Sequence, residues 1–208
     1  MAPSTERPEL VPATPENVRR AAECLKRGDL IVVPTETVYG VAARADWPAA
    51  MAKLRAAKGR DESKRIALFA ESIETVRAAG ARVDAVAERL AAAFWPGPLT
   101  MVLPNAAGDW DGYRCPDHPA AQAWLRELGG IVPAVTSANR SGSSAARTAQ
   151  EAWAALAPHV ALALDAGPVA VGEASTVVKI AAGDIEILRP GPIDRAALER
   201  SACCPVRG

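Results

Sequence analysis

The sequence predicts an α/β protein in which helices flank a twisted, mixed parallel and antiparallel sheet within a single domain. Strand-like apolar runs alternate with helical patterns along most of the 208 residues, which is typical of crossover connections. Residues 30–33 are four branched apolar side chains in a row, as in a strand that is covered on both faces. Residues 175–188 contain two short strand patterns around Gly183-Asp184, which predicts an antiparallel hairpin.

The predicted helices begin at a capping residue or a proline and end before a glycine or proline. The first begins at Thr14-Pro15 and ends before Gly28. Thr148 and Glu151 have the spacing of a capping box, in which each side chain accepts a hydrogen bond from the other residue's backbone N–H group. The same signals predict helices that begin near residues 14, 46, 72, 83, 118 and 148, with Asp46 and Pro48 opening the second.

The predicted strands lie between these helices. Pro34 cannot donate a hydrogen bond to a neighbouring strand, so it marks the end of the first one. The strand patterns span residues 30–33, 66–70, 99–103, 131–136, 160–164, 175–180 and 185–188. We expect a loose N-terminal segment at residues 1–13, one domain at 14–200 and a C-terminal tail at 201–208.

Composition excludes several classes of function. Lysine plus arginine equals aspartate plus glutamate at 24 each, so no overall field attracts nucleic acid or an anionic membrane. The four cysteines have no metal-binding spacing, and their number and positions suit a reducing compartment. No segment reaches the roughly 18 consecutive apolar residues of a membrane span. We therefore expect a cytoplasmic protein that does not enter a membrane.

Motifs of covalent and nucleotide chemistry are missing from the sequence. The Walker loop, the Rossmann glycine fingerprint and the serine-hydrolase elbow do not occur. The two histidines, His118 and His159, each lie beside a proline, which is typical of loop histidines rather than of a base or metal ligand. Cations and small polar groups remain at the ends of predicted strands, as in a site that binds anions and acts by charge stabilisation.

Two stretches carry most of these groups. Thr35, Glu36 and Thr37 follow the first strand, where ligands of open α/β sheets bind, although these residues could equally cap a turn. Residues 53–65 contain six basic side chains against two acidic ones. Of the six, Lys58, Arg60 and Lys64 lie where the helix ends, so they could converge on a phosphate or form a solvated face.

Seven segments then carry a resemblance to a known family. They are 34–40 (PTETVYG), 58–60 (KGR), 95–100 (WPGPLT), 114–119 (RCPDHP), 136–142 (TSANRSG), 175–178 (STVV) and 187–191 (ILRPG). In this order they resemble the YrdC/TsaC-type threonylcarbamoyl-adenylate synthases over nearly the whole chain, in their short form without a further C-terminal domain.

The resemblance implies a fold and a reaction. The family fold is a twisted α/β sheet with a concave, basic cavity. The implied reaction combines L-threonine, bicarbonate or carbon dioxide, and ATP into threonylcarbamoyl-adenylate and pyrophosphate, with Mg²⁺ carried by the ATP. The product would pass to a complex that transfers the threonylcarbamoyl group to the tRNA adenosine beside the anticodon.

The resemblance also implies roles for individual residues. Catalytic roles fall on Lys58 and Arg60. ATP binding is implied for Lys58, Arg60, Lys64, Asn139 and Arg189. Threonine binding is implied for Thr35, Arg114, Ser137 and Ser175. The chain departs from the family pattern around the phosphate region at Asp61, Arg65, Trp110 and Lys179.

Two alternatives belong to other classes of function. One is an RNA-binding module of the same fold, against which the zero net charge counts; a weak RNA contact is compatible with it. The other is a carbamoyl-transfer paralogue that uses carbamoyl phosphate. The chain has neither the fused partner domain nor the zinc-finger cysteines expected of that class.

Overall fold

The strands of the computed structural model, which describes residues 8–59 and 65–208, form one eleven-stranded sheet. They are β1 (Glu9–Pro12), β2 (Ile31–Val33), β3 (Gly40–Arg44), β4 (Ala67–Phe69), β5 (Leu99–Pro104), β6 (Trp110–Arg114), β7 (Pro133–Ser137), β8 (Leu162–Asp165), β9 (Thr176–Ala181), β10 (Asp184–Arg189) and β11 (Val206–Arg207). The order across the sheet is β1-β8-β2-β3-β7-β4-β6-β5-β9-β10-β11. Parallel and antiparallel neighbours are both present, so the predicted α/β class with a mixed sheet is confirmed.

Helices connect many of these strands. They are α1 (Pro15–Lys26), α2 (Pro48–Lys58), α3 (Ile73–Ala78), α4 (Ala85–Phe94), α5 (Pro119–Glu127), α6 (Ala149–Leu156) and α7 (Arg195–Ala202), with a one-turn 3-10 helix at Ala157–His159. Within the described residues, no helix is long and apolar enough to cross a membrane.

The first half of the sheet is covered on both faces. α1 and α5 pack on one face of β8, β2, β3 and β7, and α2 and α6 pack on the other. The side chains of β2 alternate accordingly, because Ile31 and Val33 join the α1 cluster while Val32 joins the α2 cluster. This is the arrangement that the unbroken apolar run predicts.

The second half of the sheet is covered differently. α4 and α7 pack against the β5 side chains Leu99, Met101 and Leu103 and against neighbouring β9 residues. The alternate side chains of the same strands, including Thr100 and Val177, line an open cavity on the opposite face. The sheet therefore presents one face to the core and the other to a prospective ligand.

The caps follow the predictions in part. Thr148 Oγ1 accepts from Glu151 N at 3.2 Å, as expected. The Glu151 carboxylate, however, accepts from the backbone N–H of Arg147 at 2.6 Å instead of that of Thr148, so the box is displaced by one residue. The prediction for α2 is wrong at its cap, because Asp46 pairs with the Arg44 guanidinium and is not the cap residue.

The hairpin prediction is confirmed with a shift of one residue. β9 and β10 are antiparallel neighbours. Ala182 and Gly183 form the turn, with φ values of 51° and 86°. Positive φ at both turn residues matches the right-handed twist of the strands. Asp184 already belongs to β10.

The predicted loose ends need correction. Residues 9–12 form β1, which pairs in parallel with β8, so the part of the 1–13 segment that is described there is ordered. In the predicted tail, α7 extends to Ala202 and β11 pairs with β10. Short edge strands carry little pattern of their own, since their partners are distant in sequence. β3, β6 and α7 were also not predicted.

Candidate active site

A cavity of about 550 Å³ opens on the uncovered face of the sheet. Thr100 and Val102 of β5, Gly112 and Arg114 of β6 and Val177 of β9 form its floor. The ends of β7 and β10, the turn after β2 and the segments before β4 and β9 complete its wall. The site is thus assembled from strands that lie far apart in sequence, and polar groups converge on an otherwise apolar surface, as in typical ligand sites.

Two glycines allow this wall to close. A Cβ atom on Gly40 would lie 2.7 Å from Val135 Cγ1, so glycine lets β3 pack closely against β7 beside the cavity. A Cβ atom on Gly191 would lie 2.5 Å from the backbone nitrogen of Thr176. Glycine therefore lets the segment after β10 fold back over the start of β9, next to Arg189.

Arg114 is the most buried cation of the cavity wall. Its Nη2 donates to Glu36 Oε1 at 2.8 Å and to Thr37 Oγ1 at 2.7 Å. Its guanidinium carbon lies 5.6 Å from the ring centroid of Phe69. Burial lowers the pKa of Arg114, and the adjacent Glu36 carboxylate acts against that shift. Because arginine stays protonated in proteins, the group remains a cation.

Arg189 forms a second cationic group with two hydroxyls. Its Nη2 donates to the Ser175 carbonyl at 2.7 Å and lies 3.1 Å from Ser175 Oγ. Ser175 Oγ lies 2.8 Å from Thr100 Oγ1. Burial and the nearby charge of Arg114 both lower the pKa of Arg189. Two guanidinium groups therefore share one cavity, and an anion placed between them would relieve their repulsion.

Lys58 lies behind the wall rather than on it. Its Nζ donates to the Ser137 carbonyl at 2.5 Å, to Asn139 Oδ1 at 3.1 Å and towards Ser137 Oγ at 3.3 Å. Asn139 Nδ2 in turn donates to the carbonyls of Arg140 and Ser143. These bonds tie the end of α2 to the last residue of β7 and to the segment after it, and they fix the course of that backbone.

Thr35 holds the turn between β2 and β3. Its Oγ1 donates to the Val38 carbonyl at 2.6 Å. The same oxygen accepts from the N–H groups of Thr37 and Val38 at 3.2 Å each. The hydroxyl therefore caps a turn, as one reading of the sequence suggested, while the residue also lines the cavity.

Three departures from the family pattern, Arg65, Trp110 and Lys179, contact one another. Lys179 Nζ lies 4.3 Å from the ring centroid of Trp110, a cation–π contact. Arg65, which lines the cavity, donates to the Trp110 carbonyl. Three of the four departures thus form one contact network, whereas Asp61 lies outside the described residues.

The structure brings together most of the predicted site residues. Those that line the cavity are Thr35, Arg114, Ser137, Ser175 and Arg189. Lys58 and Asn139 lie behind Ser137, and Asn139 borders a neighbouring cavity of about 530 Å³ that shares Ala145 with the first. Arg60 and Lys64 lie outside the described residues.

Sequence reasoning missed Thr100 as a site residue and missed the pairing of Glu36 with Arg114. Thr100 belongs to the 95–100 segment, and the alternation of Leu99, Met101 and Leu103 towards the core could have placed its hydroxyl on the cavity face. The pairing of Glu36 with Arg114 spans 78 residues and left no local signal. In the part of the chain that the structure describes, no cluster of three or more His, Cys, Asp or Glu side chains could hold a metal ion.

The fold and the cavity define a class of protein, an α/β domain that presents guanidinium and hydroxyl groups on the exposed face of a mixed sheet. A Sua5/YciO/YrdC family model, described as "Telomere recombination", matches residues 23–191. The chain belongs to this family, which confirms the resemblance found in the sequence.

Relatives and solved structures agree with this assignment. A Mycobacterium tuberculosis protein is 38% identical over 182 residues, which is 83% of each chain. The threonylcarbamoyl-AMP synthase of Bacillus subtilis is 33% identical over 88% of this chain and 55% of its own length. The crystal structure of Pyrococcus abyssi Sua5 with L-threonine superposes with a TM-score of 0.87 at 27% identity, over 98% of this chain and 63% of that one.

Proposed function

We propose that this protein is an L-threonylcarbamoyl-adenylate synthase, which forms threonylcarbamoyl-AMP and pyrophosphate from L-threonine, bicarbonate or carbon dioxide, and ATP. The observation that carries the proposal is the pair Arg114 and Arg189, which face one cavity beside the hydroxyls of Ser175 and Thr100. The names of the relatives and the threonine complex of P. abyssi Sua5 support the same reaction.

The amino acid would occupy the Arg114 side of the cavity. Its carboxylate would bind the Arg114 guanidinium, and Ser137 and Ser175 would supply hydroxyls around it. Thr35 would contribute the shape of its turn, because its hydroxyl is already bonded to its own backbone. The amine would then point into the cavity, where carbon dioxide can reach it.

The nucleotide would occupy the Arg189 side, entering as its magnesium complex. Arg189 would bind the phosphates together with Arg60 and Lys64. Lys58 and Asn139 would act through the backbone they hold, since the hydrogen bonds described above join them to each other, to the last residue of β7 and to the segment after it. The magnesium ion supplies charge neutralisation on the phosphates when it is bound with ATP.

The reaction then proceeds in two steps and needs no protein nucleophile. The threonine amine attacks carbon dioxide and loses a proton to solvent, which gives a carbamate. A carbamate oxygen attacks the α-phosphorus, the bond from that phosphorus to the bridging oxygen breaks, and pyrophosphate leaves. Arginines fixed beside the phosphoryl oxygens stabilise the charge that develops there.

Pyrophosphate release tests this proposal. The full chain is incubated with MgATP, bicarbonate and each amino acid in turn, and we expect release to depend on both L-threonine and bicarbonate. Release without threonine at the same rate would contradict the proposal. Turnover of carbamoyl phosphate instead would identify a carbamoyl-transfer paralogue, and salt-sensitive RNA binding without any turnover would identify an RNA-binding module.

The product is an activated mixed anhydride, so a second protein must use it before water does. We propose that a tRNA threonylcarbamoyl-transfer complex in the cytoplasm accepts it, since the product resembles the donor such a complex requires. Any RNA contact of the synthase itself would be weak, because the chain carries no net charge.

A further inference from the structure

We infer that Glu36 is the positioning residue for Arg114, and that it holds Nη2 of the guanidinium inside the protein so that the other terminal nitrogen, Nη1, meets an anionic ligand in the cavity. The identity of that ligand as the threonine carboxylate rests on the proposed function. The inference concerns a carboxylate which the proposed reaction does not otherwise use.

The contact is buried and specific. The side chains of Arg114 and Glu36 are 6% and 10% exposed, and a single nitrogen, Nη2, reaches both Glu36 Oε1 and Thr37 Oγ1. Two acceptors on one nitrogen fix the rotation of the planar group. The Phe69 ring, 5.6 Å from the guanidinium carbon, packs against it.

Glu36 itself stands back from the ligand space. Thr35 and Val38, on either side of it, line the cavity, whereas Glu36 is not among the described lining residues. Its carbonyl accepts from Val171 N at 2.8 Å, so its backbone is anchored to the segment before β9. The carboxylate therefore acts through Arg114, on a backbone that is anchored by this bond.

The pairing is also offset. Glu36 Oε2 and Arg114 Nε are both buried without a hydrogen-bond partner, although a two-bond fork between the groups would satisfy both atoms. Leaving them unpaired costs stability. The offset is explained if the guanidinium is oriented to face the cavity and not to form both hydrogen bonds with the Glu36 carboxylate.

Charge gives Glu36 a second effect. Arg114 and Arg189 are close enough for the charge of Arg114 to oppose that of Arg189. Glu36 is the carboxylate that pairs with Arg114 in the described residues, so it offsets this repulsion while the cavity is empty. A ligand anion then finds two oriented cations.

The test compares Glu36→Gln, Arg114→Met and the double variant with the wild-type chain. Gln keeps the size and one acceptor but removes the charge. We expect Glu36→Gln to raise the KM for L-threonine about tenfold, with KM for ATP and kcat changed less than about threefold. In the Arg114→Met background the same change should alter that KM less than about twofold, because the effect passes through Arg114. Glu127→Gln, an exposed position on α5, is the matched charge control.

The outcomes separate the inference from the proposed function. An unchanged threonine KM in an active Glu36→Gln variant would overturn the inference and leave the synthase proposal standing. A wild-type chain without threonine-dependent turnover would overturn the synthase proposal. In that case urea unfolding of the same four proteins decides, because additive losses of stability would overturn the Glu36–Arg114 coupling and non-additive losses would support it.

Discussion

Two polar groups of residues border the cavity, and they use their hydrogen bonds in opposite ways. In the Lys58 cluster, which consists of Lys58, Ser137 and Asn139, the lysine and the amide direct their bonds to oxygens of the protein. In the arginine cluster, which consists of Arg114, Arg189 and Ser175, the cations outnumber their acidic partners and line the cavity. The first cluster shapes the backbone, and the second is arranged to receive a ligand.

This difference changes how motif residues are interpreted. A lysine in a basic run suggests a direct contact with phosphate, yet Lys58 is 3% exposed and bonded to the protein on several sides. Buried polar groups need partners because an unpaired one is costly. A side chain is therefore better suited to bind a ligand when it has more N–H donors than the protein has acceptors for them. Arg189 is such a side chain.

The largest effect is expected from a substitution that disrupts the Lys58 cluster. Lys58→Met leaves the Ser137 carbonyl and Asn139 Oδ1 without their buried donor, so we expect a loss of about 2–4 kcal/mol in unfolding free energy. Urea denaturation without ligand measures it. Lys53→Met, at an exposed lysine on the same helix, should cost less than about 1 kcal/mol. Equal stability of the two variants would assign Lys58 to the ligand rather than to the scaffold.

The next largest effect is expected from a substitution in the arginine cluster, and it is measured as the rate of turnover. Arg189→Ala should slow pyrophosphate release about ten- to a hundredfold, or about 1.5–3 kcal/mol, because it removes charge-assisted bonds to the phosphates. Its stability without ligand should change by less than about 1 kcal/mol, since removing one of two neighbouring cations offsets the lost bonds to Ser175. Thermal stabilisation by MgATP should shrink.

Arg126→Ala, at an exposed arginine on α5, provides the control for that measurement. Stabilisation by MgATP as large in Arg189→Ala as in this control would remove Arg189 from the nucleotide site. Arg189→Lys should recover only part of the activity if the guanidinium binds phosphate through two bonds.

The smallest expected effects come from replacing one neutral residue in each cluster, which tests the comparison of the two clusters most finely. Asn139→Ala should lower unfolding free energy by about 1–2 kcal/mol, because the Lys58 ammonium and two carbonyls lose a partner. Ser175→Ala should cost less than about 1 kcal/mol of stability but raise the KM for L-threonine about three- to tenfold. The two measurements are denaturation and initial rates, and the reverse assignment of effects would contradict the division into clusters.

The sequence predicted the fold class and most elements because their signals are local. The Thr14 cap, the run of residues 30–33 and the hairpin around Gly183 each depend on neighbours along the chain. β3 was missed because it follows a motif that resembled a turn. β6 (Trp110–Arg114) was missed because it presents a glycine and an arginine, Gly112 and Arg114, to the cavity. When one face of a strand lines a ligand cavity, its residues do not alternate between apolar and polar in the way that identifies a strand in the sequence.

Five of the nine predicted site residues line the cavity, but their arrangement could not be predicted. Thr35, Arg114, Ser137, Ser175 and Arg189 were named from motifs, and all line the cavity. The burial of Lys58 depends on β7 lying against the end of α2, a contact across 79 residues that no local pattern encodes. The same holds for Glu36, whose partner becomes visible only when β6 is placed beside β4 and β5.

The strand order also determines where the two ends of the described chain emerge. β1 and β11 are the outermost strands, with nine others between them. At about 4.8 Å per strand the ends are separated by about 48 Å measured along the sheet. Most domains have termini that lie close together and tolerate circular permutation. Here a linker that follows the sheet from one edge to the other would need about 14 extended residues, laid across a helix-covered face so that the cavity stays open.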